Sequence, residues 1–150
     1  EIYTLSLHDA LPIYETYKLK MQKYAQLNCI KNVIFTGHIR FAEILACYKA
    51  ADLFLCMSEH EGFCVPLVEA MYFKIPVIAY NSSAVGETLG KGGILLNEKN
   101  ALETAALMDK ILKDKGLQKK IIANQNERLD DFAHDKILAR FNELLRENVL

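Results

Sequence analysis

Glu61-Gly62-Phe63-Cys64-Val65-Pro66-Leu67-Val68-Glu69 is the stretch on which the reading of this chain turns. An apolar run, Leu53 to Met57, leads into it, and Ala70, Met71 and Phe73 lead out. Two carboxylates eight positions apart bracket a glycine, a small loop and a proline. Proline's fixed φ and missing N–H suit the first turn of a helix. Pro66 therefore predicts a strand that ends before Glu61, a loop that carries Glu61, and a helix with Glu69 in its first turn. Such a helix opening gathers unpaired N–H donors and a partial positive charge. It seats an anion such as a diphosphate, and a carboxylate beside it is placed to accept both hydroxyls of a vicinal diol such as ribose. Gly62 lets the backbone approach a ligand with no side chain in the way. The plainer alternative is that Glu69 is an acid favoured in a first turn by the helix dipole.

Outward from this stretch the pattern alternates. Toward the N-terminus, Tyr14 to Leu27 has Tyr17, Met21, Tyr24 and Leu27 at helical spacing, with lysines on the other face. Val33 to Thr36 is a short strand ended by Gly37, and Phe41 to Ala51 a helix with Ile44, Leu45 and Tyr48 turned inward. Leu53 to Met57 is short and wholly apolar, which predicts a strand covered on both faces. Toward the C-terminus, the helix after Glu61 runs to about Lys74 and is broken at Ile75-Pro76, and Val77 to Tyr80 is the next buried strand. Asn81 to Glu87 reads as a loop of small and polar residues, Gly90 to Gly93 as a turn, and Ile94 to Leu96 as a strand. Three helices follow: one with Leu102, Ala105, Met108 and Leu112 on one side, one over Leu117 to Leu129, and one from Asp135 with Ile137, Phe141 and Leu144 on its inner face. Strand followed by helix, four times over, predicts an α/β fold: a Rossmann-like, doubly wound parallel sheet with helices on both faces. In such sheets ligands sit in loops at the carboxyl ends of the strands.

The chain has 150 residues, which suits one domain. With 51% apolar and 25% charged residues it has the composition of a globular protein rather than a disordered one. A formal net charge of −1 gives no reason to expect nucleic acid as a partner. No apolar run approaches the ~20 residues of a membrane helix, and no charged-then-apolar leader is visible, so a cytoplasmic location is expected. Of the four cysteines, Cys29, Cys47, Cys56 and Cys64, none form C-x-x-C, and no histidine is spaced to complete a zinc site. They read as small buried hydrophobes in a reducing compartment, with no metal expected. A nucleophilic Cys64 lacks an identifiable histidine partner.

Ser58-Glu59-His60-Glu61-Gly62-Phe63-Cys64-Val65-Pro66-Leu67-Val68-Glu69-Ala70-Met71 resembles the E-x7-E signature of the retaining, nucleotide-sugar-dependent glycosyltransferases called group 1. Val33-Ile34-Phe35-Thr36-Gly37-His38-Ile39 resembles that family's preceding strand and loop, Pro76 to Tyr80 its following strand, and Gly86-Glu87-Thr88 the loop after it. The resemblance implies the carboxyl-terminal, donor-binding domain of a two-domain GT-B enzyme. It implies Glu69 on the ribose hydroxyls and Glu61 near the donor sugar as the catalytic residue. Gly62, Phe63 and Cys64 match the loop whose backbone N–H groups face sugar and phosphates. His38 falls where the family's loop lines the nucleotide pocket, although a surface histidine ending a strand explains it as well. Glu87 matches a loop acid near the donor, with a solvent-exposed glutamate as the equal alternative. Glu59 and His60 read as flanking polar residues, and Gly86 stands where relatives often carry proline.

The implied partners are a UDP- or GDP-sugar donor and a carbohydrate or glycoconjugate acceptor, the latter held by an N-terminal domain not present here. Neither metal nor cofactor is implied, and the whole enzyme is allowed a peripheral association with membranes. The family's Arg and Lys phosphate clamp falls upstream of this chain, so the chain is expected to be a partial domain, inactive alone and prone to self-association through an exposed sheet edge. Residues 1–13 are set aside, because Leu5 to Ile13 resembles a translated sequencing adapter; the domain is taken as 14–150. The alternative is that Ile2 to Leu5 is a native edge strand, with His8 and Asp9 on the surface. Two other functions remain on the same fold: a non-catalytic nucleotide-binding or interaction module, and another GT-B enzyme such as a nucleotide-sugar epimerase or a phosphorylase.

Overall fold

The computed structural model describes residues 3–5 and 12–148, with side chains over 16–147. The chain divides into two compact units, one reaching to Lys49 and the other beginning at Ala50. The first carries β1 (Tyr3–Leu5), α1 (Pro12–Leu27), β2 (Val33–Phe35) and α2 (Phe41–Ala50). β1 and β2 are parallel, with Tyr3 opposite Val33 and Leu5 opposite Phe35. The rest of the 1–13 segment up to residue 11 lies outside the described residues. α1 opens on Pro12, where a proline costs no hydrogen bond. It closes with Cys29 left-handed at φ 54° and the Ile30 N–H returning 2.9 Å to the Ala25 carbonyl.

The second unit holds β3 (Phe54–Cys56), α3 (Val65–Tyr72), β4 (Val77–Tyr80), α4 (Val85–Leu89), β5 (Ile94–Leu96), α5 (Ala101–Lys113), α6 (Lys115–Asp130) and α7 (His134–Asn148). Its strands form a parallel sheet in the order β3-β4-β5, with Cys56 opposite Ala79 and Ile78 opposite Ile94. Adjacent parallel strands taken in sequence need crossovers of one hand, so α3 and α4 fall on the same face, where they pack together. α6 packs against both α3 and α5, and α5 takes the other face. There Ile78, Ile111 and Ile121 are buried against half-buried Leu53, Leu107 and Met108. Val77 and Ala79 alternate to the opposite face and are fully buried where α3 packs on β4. Helices thus cover both faces of this sheet, as the alternation of strand and helix predicts. No described helix is long and apolar enough to cross a membrane.

Several local expectations are corrected. β3 is an edge of this three-stranded sheet rather than a strand covered on both faces: Cys56 is buried but Leu55 is exposed. α3 begins at Val65 with Pro66 in its opening turn, which makes Glu69 its fifth residue, past the first turn. α3 stops where Lys74 turns left-handed, at φ 59°, and the Ile75 N–H bonds the Ala70 carbonyl at 3.0 Å. The expected loop 81–87 becomes helical at Val85, because Val85, Thr88 and Leu89 have helical spacing and all bury.

On α5 the inner face is rotated from the expected one. Thr104 and Ile111 are buried, whereas Leu102 is 84% exposed. Thr104 tolerates this because its hydroxyl donates to the Asn100 carbonyl at 2.7 Å. α6 sends one side chain fully inside, where Gln125 Nε2 donates 2.8 Å to the Ile75 carbonyl just past α3. On α7, Ile137, Phe141 and Leu144 are exposed, not inner.

Candidate functional site

The carboxyl ends of β3 and β4 open into two loops, 57–64 and 81–84, and side chains tie them together. Ser82 Oγ donates to the Ser58 carbonyl at 2.7 Å, and Thr88 Oγ1 to the Phe63 carbonyl at 2.6 Å. Ser83 Oγ lies 3.2 Å from His60 Nδ1. Lys99 Nζ donates to Glu59 Oε1 at 3.0 Å while lying 4.7 Å over the Tyr80 ring. Glu59 and His60, read from sequence as flanking residues, therefore help to hold the loop. Glu59 is well exposed, so its ion pair adds little energy. The buried Ser and Thr bonds carry the restraint.

Within the first loop, Cys64 occupies the N-cap of α3 at φ 59°, ψ 62°, with no side-chain cap, and its carbonyl accepts the Leu67 N–H at 3.0 Å. A left-handed residue other than glycine costs about 1 kcal/mol or more, and such strain gathers at ligand sites. Half-buried Glu61 joins Cys56 and Cys64 in one group: a carboxylate oxygen and the two sulfurs all lie within 4.8 Å of one another. The sulfurs are 3.9 Å apart. Burial, with Cys56 and Glu61 adding to it, pushes the Cys64 thiol up to about 12. Cys64 is thus a neutral thiol at neutral pH, the opposite of what a nucleophile needs. The proximity of Cys56 and Cys64 is invisible to a scan for C-x-x-C, because it is made by a strand and a helix start rather than by one short turn.

Phe63 and Glu87, both singled out from sequence, meet at a cavity of about 200 Å³ lined by Phe63, Ala84, Glu87, Thr88 and Arg128. Glu87 lies in the first turn of α4 and is exposed. Arg128, near the end of α6, completes the lining and carries no motif in sequence. Its guanidinium donates to the Thr88 carbonyl at 3.1 Å, the Glu87 carbonyl at 2.5 Å and Asp131 Oδ2 at 2.7 Å. It also lies 4.5 Å over the Phe132 ring, which meets Phe63 edge-on at 5.4 Å. A cation on the last carbonyls of a helix is favoured by the helix dipole. The only hint in sequence was an Arg and an Asp three apart, a pattern shared with any solvated helix face. A second cavity, about 280 Å³, is apolar and lined by Leu55, Met57, Lys99, Thr104 and Met108 among others.

Glu61 and Glu69 line neither cavity. Glu69 is half-buried on α3, and Gly62 is exposed. His38 is exposed and lies in the unit that ends at Lys49.

The fold and site define a class: a doubly wound parallel α/β domain with its polar loops and a helix start gathered at the carboxyl ends of neighbouring strands, where such folds bind ligands. Residues 14–128 match the family described as Glycosyl transferases group 1, and the chain belongs to that family. It is 28% identical over 124 residues to the serotype-specific mannosyltransferase WbdA of Escherichia coli, an alignment covering 83% of this chain and 14% of WbdA. A GDP-mannose-dependent alpha-mannosyltransferase of Mycolicibacterium smegmatis is 34% identical over 70 residues, 45% of this chain and 19% of that protein. Among solved structures, the C-terminal domain of a group 1 family glycosyl transferase (LpcC) from Francisella tularensis superposes with TM-score 0.68 at 31% identity, covering 81% of this chain and 64% of that one. The Anabaena protein HepE, in complex with UDP and glucose, superposes with TM-score 0.80 at 24% identity over 97% of this chain and 40% of HepE, a likeness of fold. The chain thus spans about a seventh to a fifth of these two curated relatives. The GT-B carboxyl-terminal fold implied by the E-x7-E stretch is borne out.

Proposed function

We propose that this chain is the donor-binding domain of a retaining, metal-independent glycosyltransferase. It takes a hexose from a nucleoside-diphosphate sugar, GDP-mannose first among the candidates, for transfer to a carbohydrate or glycoconjugate acceptor. The observation that carries this reading is the placement of residues 61–69 across the carboxyl end of β3 and the start of α3, beside the loop after β4. The mannosyltransferase relatives support the choice of sugar, and a UDP-sugar is the alternative donor. The four free cysteines accord with a cytoplasmic setting.

In the transfer, the bond between the anomeric carbon and the diphosphate oxygen breaks, and the acceptor hydroxyl bonds to the same face. The barrier is dominated by charge growing on the departing diphosphate, which fixed donors offset. The amides of Gly62, Phe63 and Cys64 and the start of α3 supply such donors in this proposal. Glu69 accepts the ribose hydroxyls, Glu61 lies at the donor sugar, and Glu87 borders the nucleotide. A Cβ on Gly62 would meet no atom within 4 Å. Among the described residues nothing crowds that position, so the backbone there is open to a ligand.

Calorimetric titration with GDP-mannose, UDP-glucose, GDP and UDP tests the proposal. Glu69→Ala removes two hydrogen bonds to a charged acceptor and should weaken every nucleotide similarly, by about tenfold to a hundredfold. An effect confined to one sugar would remove Glu69 from the ribose. Absence of nucleotide binding by the unaltered chain would overturn the proposal.

A further inference from the structure

We propose that Cys56, Cys64 and Glu61 form a site for a thiophilic divalent cation, Zn²⁺ foremost, with two thiolates and one carboxylate as ligands and a fourth position open to water. The two sulfurs lie 3.9 Å apart. A tetrahedral zinc with Zn–S bonds of about 2.3 Å holds two sulfurs about 3.8 Å apart, so the pair already has the spacing of two corners of that tetrahedron. The same separation is nearly twice a disulfide bond of about 2.05 Å. A carboxylate oxygen of Glu61 lies within 4.8 Å of both sulfurs. It reaches ligand distance by a side-chain movement on the order of 1 Å.

The donor set is built into the frame rather than gathered by chance on a surface. Cys56 ends β3 and is held in register opposite Ala79 of β4. Cys64 is fixed as the left-handed N-cap of α3. The loop between them is pinned through the Ser58 and Phe63 carbonyls. Both sulfur-bearing residues are buried, at 8% and 6% exposure, while Glu61 is half-buried beside exposed Gly62, which supplies an entry path. Two soft sulfurs with one oxygen select zinc-like cations over magnesium or calcium. Binding forms two S–Zn bonds and one O–Zn bond, and the two S–H protons pass to solvent. The sequence pattern is C-x7-C, outside the short spacings by which zinc sites are recognised. Glu61 cannot serve a cation and a donor sugar together, so occupancy opposes donor binding. That consequence rests on the function proposed above, whereas metal binding itself does not and is measured without nucleotide.

The test is a titration of the full chain, reduced with a phosphine, with Co²⁺ and then Zn²⁺. The expected result is a near-ultraviolet thiolate-to-cobalt charge-transfer band that saturates at one equivalent per chain and is erased by Zn²⁺. In competition with a chelating dye, Cys56→Ser and Cys64→Ser should each weaken Zn²⁺ at least about 100-fold, and Glu61→Gln about tenfold. The double variant Cys29→Ser/Cys47→Ser, altered only in cysteines outside this group, should bind as the unaltered chain does. Absence of the band in the unaltered chain overturns the proposal whatever the variants do. So does a band that survives Cys64→Ser but is lost with Cys29 and Cys47.

Discussion

Helices α3 and α7 both carry apolar residues at helical spacing, and they meet opposite fates. On α3, Leu67, Ala70 and Met71 are fully buried beneath the sheet and α6. On α7, Ile137, Leu138, Phe141, Leu144 and Leu145 form a continuous stripe and remain 40–56% exposed. Periodicity states that a helix has an apolar face; only a neighbouring element decides whether that face leaves water. α3 is enclosed because it joins β3 to β4 and must lie on the sheet. α7 follows the last strand by two helices, so no crossover forces it down. It also lies beyond residue 128, where the family match ends.

The contrast is broken or sharpened by substitution. Leu67→Ala on α3 should cost the most, about 2–5 kcal/mol, because a side chain with no exposure leaves a cavity. A urea midpoint nearly unchanged by it would mean that α3 is less enclosed than its burial indicates. Arg128→Ala should have an intermediate effect, about 1–3 kcal/mol, since it removes charged hydrogen bonds to the Glu87 and Thr88 carbonyls. Arg128→Lys should recover only part, because one ammonium cannot reproduce the fork over two carbonyls. Phe141→Ala on α7 should have the smallest effect, within about 0.5 kcal/mol. A loss of the size expected for Leu67 would show that the stripe on α7 is covered in solution.

The same contrast explains what was legible in the sequence. The alternation of strand and helix and the opening turn of α3 around Pro66 could be read because each rests on local chemistry: a proline's φ, an apolar run, a helical period. Glu69 was placed one turn too early because Pro66 marks an opening turn without marking its first residue. The inner face of α5 was misjudged because Thr104 buries by bonding its own helix, which a polarity pattern cannot show. α4 reads as a loop in sequence because Gly86 and the serines before it outweigh a period only five residues long. Arg128, Gln125 and the pairing of Cys56 with Cys64 went unseen for a different reason. Each is a contact between segments eight to fifty positions apart. No single stretch of sequence carries such a contact, and two of them, at Arg128 and at the cysteine pair, fall at the candidate site.

The central claim is that a sugar nucleotide is held at the carboxyl ends of β3 and β4, around residues 61–69. Amide chemical-shift mapping during titration of the chain with GDP and with UDP tests it most directly. Shifts concentrated in 58–69 and 81–88, with α7 unmoved, are the predicted result. Shifts concentrated on α5 to α7, or none at saturating nucleotide, would contradict it.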